Sequence, residues 1–264
     1  MKLSFSTLGC PGWTWNEVFS TAKDLGIQGV EIRGLGSQMY APSIKEFLPA
    51  NIEGTKERLK KVGLSIPILT SGAALAQKDT ARSAFTEAAA YIDLAAKLGT
   101  KYIRVMGTDT PQIIDGDFDE GARLYGLLCE FARPYGVTPL IETNGRLASS
   151  ENILSFIEKS GSDNSGILWD VHHTVRFGKE APAATVKLLS EKIKHCHVKD
   201  STDGNEYKMM GMGTLPLKEA FAALKEIDYD GFISLEWVKR WHPDLSEPGI
   251  VFAHFVSYMN RIKL

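Results

Sequence analysis

The chain has little that would tie it to a disulfide framework, a membrane or a nucleic acid. Its three cysteines, Cys10, Cys129 and Cys196, lie far apart and are odd in number. That argues against a stapled secreted fold and fits a reducing, cytoplasmic setting. No stretch approaches the roughly 20 apolar residues of a membrane span. The opening MKLSFSTLGCPGW has too short an apolar run for a secretion signal. The formal net charge is −2 and no block of Lys or Arg stands out. A binder of phosphate backbones would show a basic stripe, so nucleic acid is not an expected partner. No GxGxxG follows the first strand-like segment, which removes the usual fingerprint of a dinucleotide site.

What is present is a regular alternation. Segments at 3–8, 29–34, 64–70, 101–107, 138–143, 165–173, 193–200 and 232–237 read as strands. Between and after them, 15–26, 52–63, 79–99, 118–136, 149–161, 181–193, 216–231 and 248–264 carry helical spacing, several closing on glycines such as Gly26, Gly63, Gly99 and Gly161. Strands separated by helices predict a parallel sheet. The 264 residues are long enough for two smaller domains. Eight strand–helix pairs without a linker instead predict an α/β fold of one closed (β/α)8 barrel over 1–264, whose usual length is about 250 residues.

Four strand ends in the C-terminal half carry metal-type ligands: Glu142 in IETN, Asp170 in WDVHH, His197 in HCHVKD and Glu236 in SLEW. Active sites of β/α barrels form at this end of the strands, where neighbours about 4.8 Å apart can surround one ion. Three carboxylates and an imidazole suit a divalent ion such as Mn²⁺, Mg²⁺, Co²⁺ or Zn²⁺. Taken singly, each has a plainer use: Glu142 in turn chemistry, Asp170 as a helix cap, His197 as a hydrogen-bonded core histidine. Glu236 between Leu235 and Trp237 is harder to dismiss, because an inward carboxylate there needs a counter-charge. Cys196, between His195 and His197, points away from both and packs as a small hydrophobe.

The succession IETN, DVHH, HCHVKD and SLEW, with GVEIRG near the start, resembles the xylose isomerase-like TIM barrel superfamily over essentially the whole chain. The resemblance implies a single Mn²⁺-type ion, with Mg²⁺, Co²⁺ or Zn²⁺ as alternatives, held by Glu142, Asp170, His197 and Glu236. It also implies that His173 faces the substrate. The expected activity is isomerisation or epimerisation of a sugar, sugar phosphate or related polyol-ketone, with Glu142 and Glu236 moving the proton. Lys199 is a substrate contact or an ion-pair partner of Asp200. Glu31 and Arg104 are sugar contacts across the barrel or a structural pair. Arg240 is an anion contact or a surface residue. Trp13, Trp15, Trp169, Trp237 and Trp241 are core or rim residues more than stacking platforms. Segments 34–50 and 201–214 are available to cover the pocket, and exposed helices leave homo-oligomerisation open.

Three rival activities share the fold. A dehydratase or lyase on a keto-sugar or inosose starts from the same α-proton abstraction. A non-catalytic sugar-binding barrel would lack a ligand or one glutamate, and both glutamates are present. An abasic-site endonuclease would need further histidines on the third and fourth strands, which end here in LTSG and VMG.

Overall fold

Alternation along each strand decides which side chains enter the barrel and which face the helices. The computed structural model describes residues 1–262. Its strands are β1 Lys2–Ser6, β2 Gly29–Glu31, β3 Ile68–Ala74, β4 Tyr102–Met106, β5 Thr138–Glu142, β6 Gly166–Asp170, β7 Ile193–Val198, β8 Asp200–Ser201, β9 Tyr207–Lys208 and β10 Phe232–Leu235. All but β8 and β9 form one parallel sheet in the order β2-β1-β10-β7-β6-β5-β4-β3. The seam between β2 and β3 is drawn together by parallel bridges Gly29–Ser65 and Ile32–Leu69. The helices are α1 Trp15–Asp24, α2 Ile52–Lys61, α3 Ala81–Leu98, α4 Phe118–Ala132, α5 Ser150–Ser160, α6 Val171–Arg176, α7 Pro182–Leu189, α8 Leu217–Glu226 and α9 Pro248–Ile262. The architecture is a single (β/α)8 TIM barrel.

Two apolar layers result. Outward residues such as Ile103, Ile141, Trp169, Cys196 and Ile233 pack with the helices in the main core. Inward Ile68, Leu140 and Leu168, with Tyr102 against them, form a separate plug toward the N-terminal ends of the strands. One or two steps further along, the inward residues become Thr70, Arg104, Glu142, Asp170, His197 and Glu236, all buried. The barrel is therefore sealed by hydrocarbon at one end and lined with charge at the other.

Local signals fix the helices. Thr14 and Glu17 make a reciprocal capping box at the start of α1, a motif in which the N-cap alone is worth about 1 kcal/mol. Gly99 ends α3 at φ +73°, a left-handed turn that a side chain would strain.

Several elements end earlier than the sequence suggests, and three departures change the picture. The third strand occupies 68–74 rather than 64–70, because Pro67 has no N–H for the ladder and the residues before it only bridge to β2. The sixth strand stops at Asp170, whose Oδ1 accepts the His173 N–H at 3.0 Å. That cap starts α6, so His172 and His173 ride on a helical turn and not on a strand end. Segment 201–214 contains a hairpin, β8 with β9, instead of being irregular. Residues 263 and 264 of the expected last helix lie outside the described residues.

The inner plug gives a direct test of the layering. Leu168 is fully buried in a small cluster with few neighbours able to collapse. Leu168→Ala is expected to cost roughly 2–5 kcal/mol in denaturant unfolding. A loss below about 0.5 kcal/mol, the range of an exposed site, would show that the plug is not packed as described.

Candidate metal centre

Glu142 ends β5, Asp170 ends β6, His197 lies in β7 and Glu236 follows β10. Register sets Asp170 beside His197, and His197 beside Ser234, two residues before Glu236. One ligand atom from each of the four lies within 4.8 Å of the others. His197 Nδ1 is 3.4 Å from Glu142 Oε1, 3.4 Å from Glu236 Oε1 and 3.9 Å from Asp170 Oδ2.

The tautomer of His197 is dictated from behind. Its Nε2 lies 2.8 Å from Glu31 Oε2. A carboxylate only accepts, so Nε2 carries the hydrogen. Nδ1 then presents either a lone pair or a second proton to three carboxylates, and it is buried without a hydrogen-bond partner. A lone pair facing three anions requires a cation between them. Without one, a proton must serve: burial opposes the charged imidazole, but Glu31 and Glu236 outweigh it and raise the His197 pKa well above its ordinary value. Around His197, the carboxylates Glu31, Glu142, Asp170 and Glu236 exceed the cations Arg104 and Lys199 by two charges; buried Asp200 is turned instead to backbone N–H groups of the hairpin segment. A divalent ion on His197 Nδ1 and the three carboxylates would cancel that excess, so this donor set fits the expected metal.

Two cations brace the carboxylates from the sides. Arg104 Nη1 donates to Glu142 Oε2 at 3.0 Å, and Nη2 donates to the Ser71 carbonyl at 2.6 Å. Lys199 Nζ contacts Asp170 Oδ2 and lies 2.5 Å from Glu236 Oε2. Burial works against the charge on Glu142, yet Arg104 and His197 hold its pKa below the ordinary carboxylate range. Asp170 is likewise held low against burial, by the charges of Lys199 and His197. Burial opposes the Lys199 charge too, and Asp170 and Glu236 raise its pKa nonetheless.

The remaining predicted residues separate into mouth and interior. His173 Nδ1 lies 3.1 Å from the Thr143 carbonyl, so Nδ1 is protonated. Burial lowers its pKa and keeps it neutral, leaving Nε2 as an acceptor. A cavity of about 440 Å³ opens over the centre, lined by Arg104, Glu142, His172, His173, Lys199 and Glu236, with Arg33, Tyr207, Trp241 and His242 among its other walls. Glu31 is not on that surface. It is 0% exposed and turned toward His195 and His197, so it is neither a sugar contact nor the partner of Arg104. Arg240 is not among the lining residues either; its Nη2 donates to the Gly36 carbonyl at 2.7 Å. Lys199 does not pair with Asp200, which instead accepts backbone N–H groups of Ser201, Gly211, Gly213 and Leu215. Hairpin residues Asn205 and Tyr207 line the cavity, whereas nothing from 34–50 does. A second cavity, about 510 Å³, lies at the opposite end near Lys2, Tyr102 and Lys194 and holds none of the four ligand residues.

Metal uptake should therefore displace a proton. With His197 raised well above its ordinary value, metal binding near neutral pH is expected to release a proton, and affinity should climb with pH. Calorimetric Mn²⁺ titrations in two buffers of different ionisation enthalpy would read this; identical heats would contradict it. Glu31→Gln removes the anion behind His197 and should weaken Mn²⁺ binding about 10–100-fold. Unchanged affinity would show that Glu31 does not support the ligand.

Comparison with known proteins places this geometry in a family. An uncharacterised protein of Methanocaldococcus jannaschii is 28% identical over 130 residues, 47% of this chain and 44% of that protein. Fructoselysine 3-epimerase of Shigella flexneri is 21% identical over 94% of this chain and 93% of its own length. Two crystal structures share the fold. A probable 3-DHS dehydratase of Bacillus anthracis has a TM-score of 0.82 at 17% identity, over 98% of this chain and 99% of that one. The IOLI protein with a zinc atom bound has a TM-score of 0.81 at 18% identity, over 99% and 98%. Residues 19–252 match the family described as xylose isomerase-like TIM barrel. The chain belongs to the xylose isomerase-like TIM barrel family.

Proposed function

We propose that the protein is a divalent-metal-dependent isomerase or epimerase acting on a sugar or related polyol-ketone. The proton beside the carbonyl is moved by Glu142 and Glu236. The observation that carries this reading is the pair of glutamates in one mouth, each with Oε1 directed at the His197 Nδ1 position and Oε2 held by a cation. The full-length likeness to fructoselysine 3-epimerase supports it. The zinc atom bound in the IOLI protein, which shares the fold, supports a divalent metal.

A divalent ion bound by Glu142, Asp170, His197 and Glu236 would polarise a substrate carbonyl and acidify the adjacent C–H. The residues of the chain supply the rest. Glu142 and Glu236 come from β5 and from the end of β10, so they approach a substrate in the mouth from two sides. One takes a proton and the other returns one, which inverts or relocates the stereocentre. Arg104 keeps Glu142 ionised and so able to accept, at the cost of basicity. Much of the driving force must therefore come from the acidified carbon. His173 Nε2, an acceptor, orients a substrate hydroxyl. Lys199 holds two carboxylates in place, and its raised pKa makes it a poor proton donor. No imidazolium stands ready at His173 to protonate a leaving hydroxyl, which favours proton return over dehydration.

The test is proton exchange from solvent. Manganese-loaded protein incubated in D₂O with a panel of ketoses, ketose phosphates and inososes should place deuterium on the carbon beside the carbonyl and yield an epimer or isomer by NMR. Glu236→Gln and Glu142→Gln should each reduce exchange by about 10²–10⁴-fold while circular dichroism stays unchanged. Removal of metal by a chelator should stop exchange, and added Mn²⁺ should restore it. Near-normal exchange in Glu236→Gln would remove that residue from the chemistry. A dehydrated product without deuterated substrate would assign the mouth to a dehydratase.

A further inference from the structure

Among the described residues, Arg33 is the one strongly basic side chain of the mouth without a hydrogen-bond or ion-pair partner. It lines the cavity above the candidate metal centre, two residues after the buried Glu31. Arg104 and Lys199 are each held by two groups. The Arg33 guanidinium makes no hydrogen bond and no ion pair among the described residues, although it is only partly exposed. The carboxylate of Glu87 is nearby but accepts the Gly72 N–H at 2.6 Å.

The position of Arg33 is built rather than incidental. Its N–H donates to Thr7 Oγ1 at 3.0 Å, and that hydroxyl donates to the Gly34 carbonyl at 2.6 Å. Gly34 turns the chain away at φ +117°, a conformation that disfavours any side chain. On the neighbouring strand, a Cβ at Gly72 would meet Arg33 Nη2 at 3.2 Å, so the glycine gives the guanidinium room to lie against β3. Burial and the charge of Arg104 both work against the charged form of Arg33, and the opposing pull of Tyr91, Glu87 and Glu236 does not offset them. A guanidinium nonetheless stays protonated.

Charge balance points the same way. A divalent ion would neutralise the excess of Glu31, Glu142, Asp170 and Glu236 over Arg104 and Lys199. Arg33 is then left inside a partly enclosed cavity with only the nearby charge of Glu87, whose carboxylate is turned to the Gly72 N–H. We infer that Arg33 receives an anionic group, a carboxylate or a phosphate, carried on the substrate away from its reacting carbonyl. A guanidinium fork matches either oxyanion with two parallel hydrogen bonds. This rests on the isomerase or epimerase reading for the placement of the carbonyl, and it narrows the substrate class to acidic or phosphorylated ketones.

The inference is tested by binding, without turnover. Manganese-loaded protein is titrated with D-fructose, D-fructose 6-phosphate and D-fructuronate, which share a ketone and differ in the charge at the far end. The two anions should bind at least about tenfold more tightly than the neutral sugar, the scale of one charge-assisted contact. Arg33→Gln should erase that preference and leave D-fructose affinity and Mn²⁺ content unchanged. Whichever anion gains more identifies the oxyanion. The Arg33 Nε–H signal, assigned by its loss in Arg33→Gln, should also shift with inorganic phosphate or acetate alone. Equal affinity for the three sugars, or no binding by any, with an Arg33 signal unmoved by either anion, overturns the inference. Charge preference without solvent exchange would instead leave Arg33 in its role and remove the isomerase reading.

Discussion

The imidazole of His197 stands between one carboxylate behind it and three in front, and the rest of the mouth is arranged around that conflict. Glu31 fixes the hydrogen on Nε2. Nδ1 must then face Glu142, Asp170 and Glu236, and a bare lone pair there is repelled by all three. A proton or a metal ion resolves it, and either draws the carboxylates inward. Removing Glu31 would free the ring to change tautomer or turn. Removing the front carboxylates would leave Glu31 as a buried anion on a neutral ring. Each half of the arrangement requires the other.

Such a concentration of buried charge is poor material for stability. Taking ions out of water costs several kcal/mol each before any pairing is regained, and a hydrocarbon core of equal volume would hold the strands together as well. The plug of Ile68, Leu140 and Leu168 shows that the barrel uses hydrocarbon where it is free to do so. The charged layer begins only beyond it, at the C-terminal strand ends. Arg104 and Lys199 limit the cost by pairing with the carboxylates, and in doing so hold each glutamate at a fixed rotamer. The same pairing lowers the basicity of Glu142, so rigidity and proton affinity trade against each other.

Much of this was legible in the sequence because a barrel strand is a short alternating string. Odd and even positions in IKHCHVKD separate His195, His197 and Lys199 from Cys196, and the structure keeps that division: the two histidines meet Glu31 while Cys196 joins the outer core. What was illegible depends on contacts across the barrel. Glu31 lies 166 residues from His197, on a strand that does not neighbour β7 in the sheet, so no local pattern announces their bond. In the sequence Asp170 reads as a cap or a ligand; its two oxygens divide the tasks: Oδ1 caps α6 and Oδ2 faces Lys199 and the centre. The tie between Lys199 and Asp200 suggested by adjacency failed because neighbours on a strand point to opposite faces. Arg33 carried no signal, since a single arginine after a strand looks the same whether or not a carboxylate awaits it.

On the proposed reading, reaction and substrate are set at different depths of the same mouth. The layer of Glu142, Asp170, His197 and Glu236 would move a proton beside any suitably placed carbonyl, and nothing in it would read the far end of a substrate. That end would meet Arg33, Tyr207, Trp241 and His242, which line the cavity from segments beyond the strand ends. These segments are held independently of the centre: Tyr207 by a hairpin folded on Asp200, Arg33 by Thr7 and a glycine on β3. A barrel built this way can exchange its outer contacts without disturbing the balance of charge around His197. The balance of charge around His197 is therefore the fixed physical problem of this chain, and on the proposed reading the guanidinium above it is where substrate identity would enter.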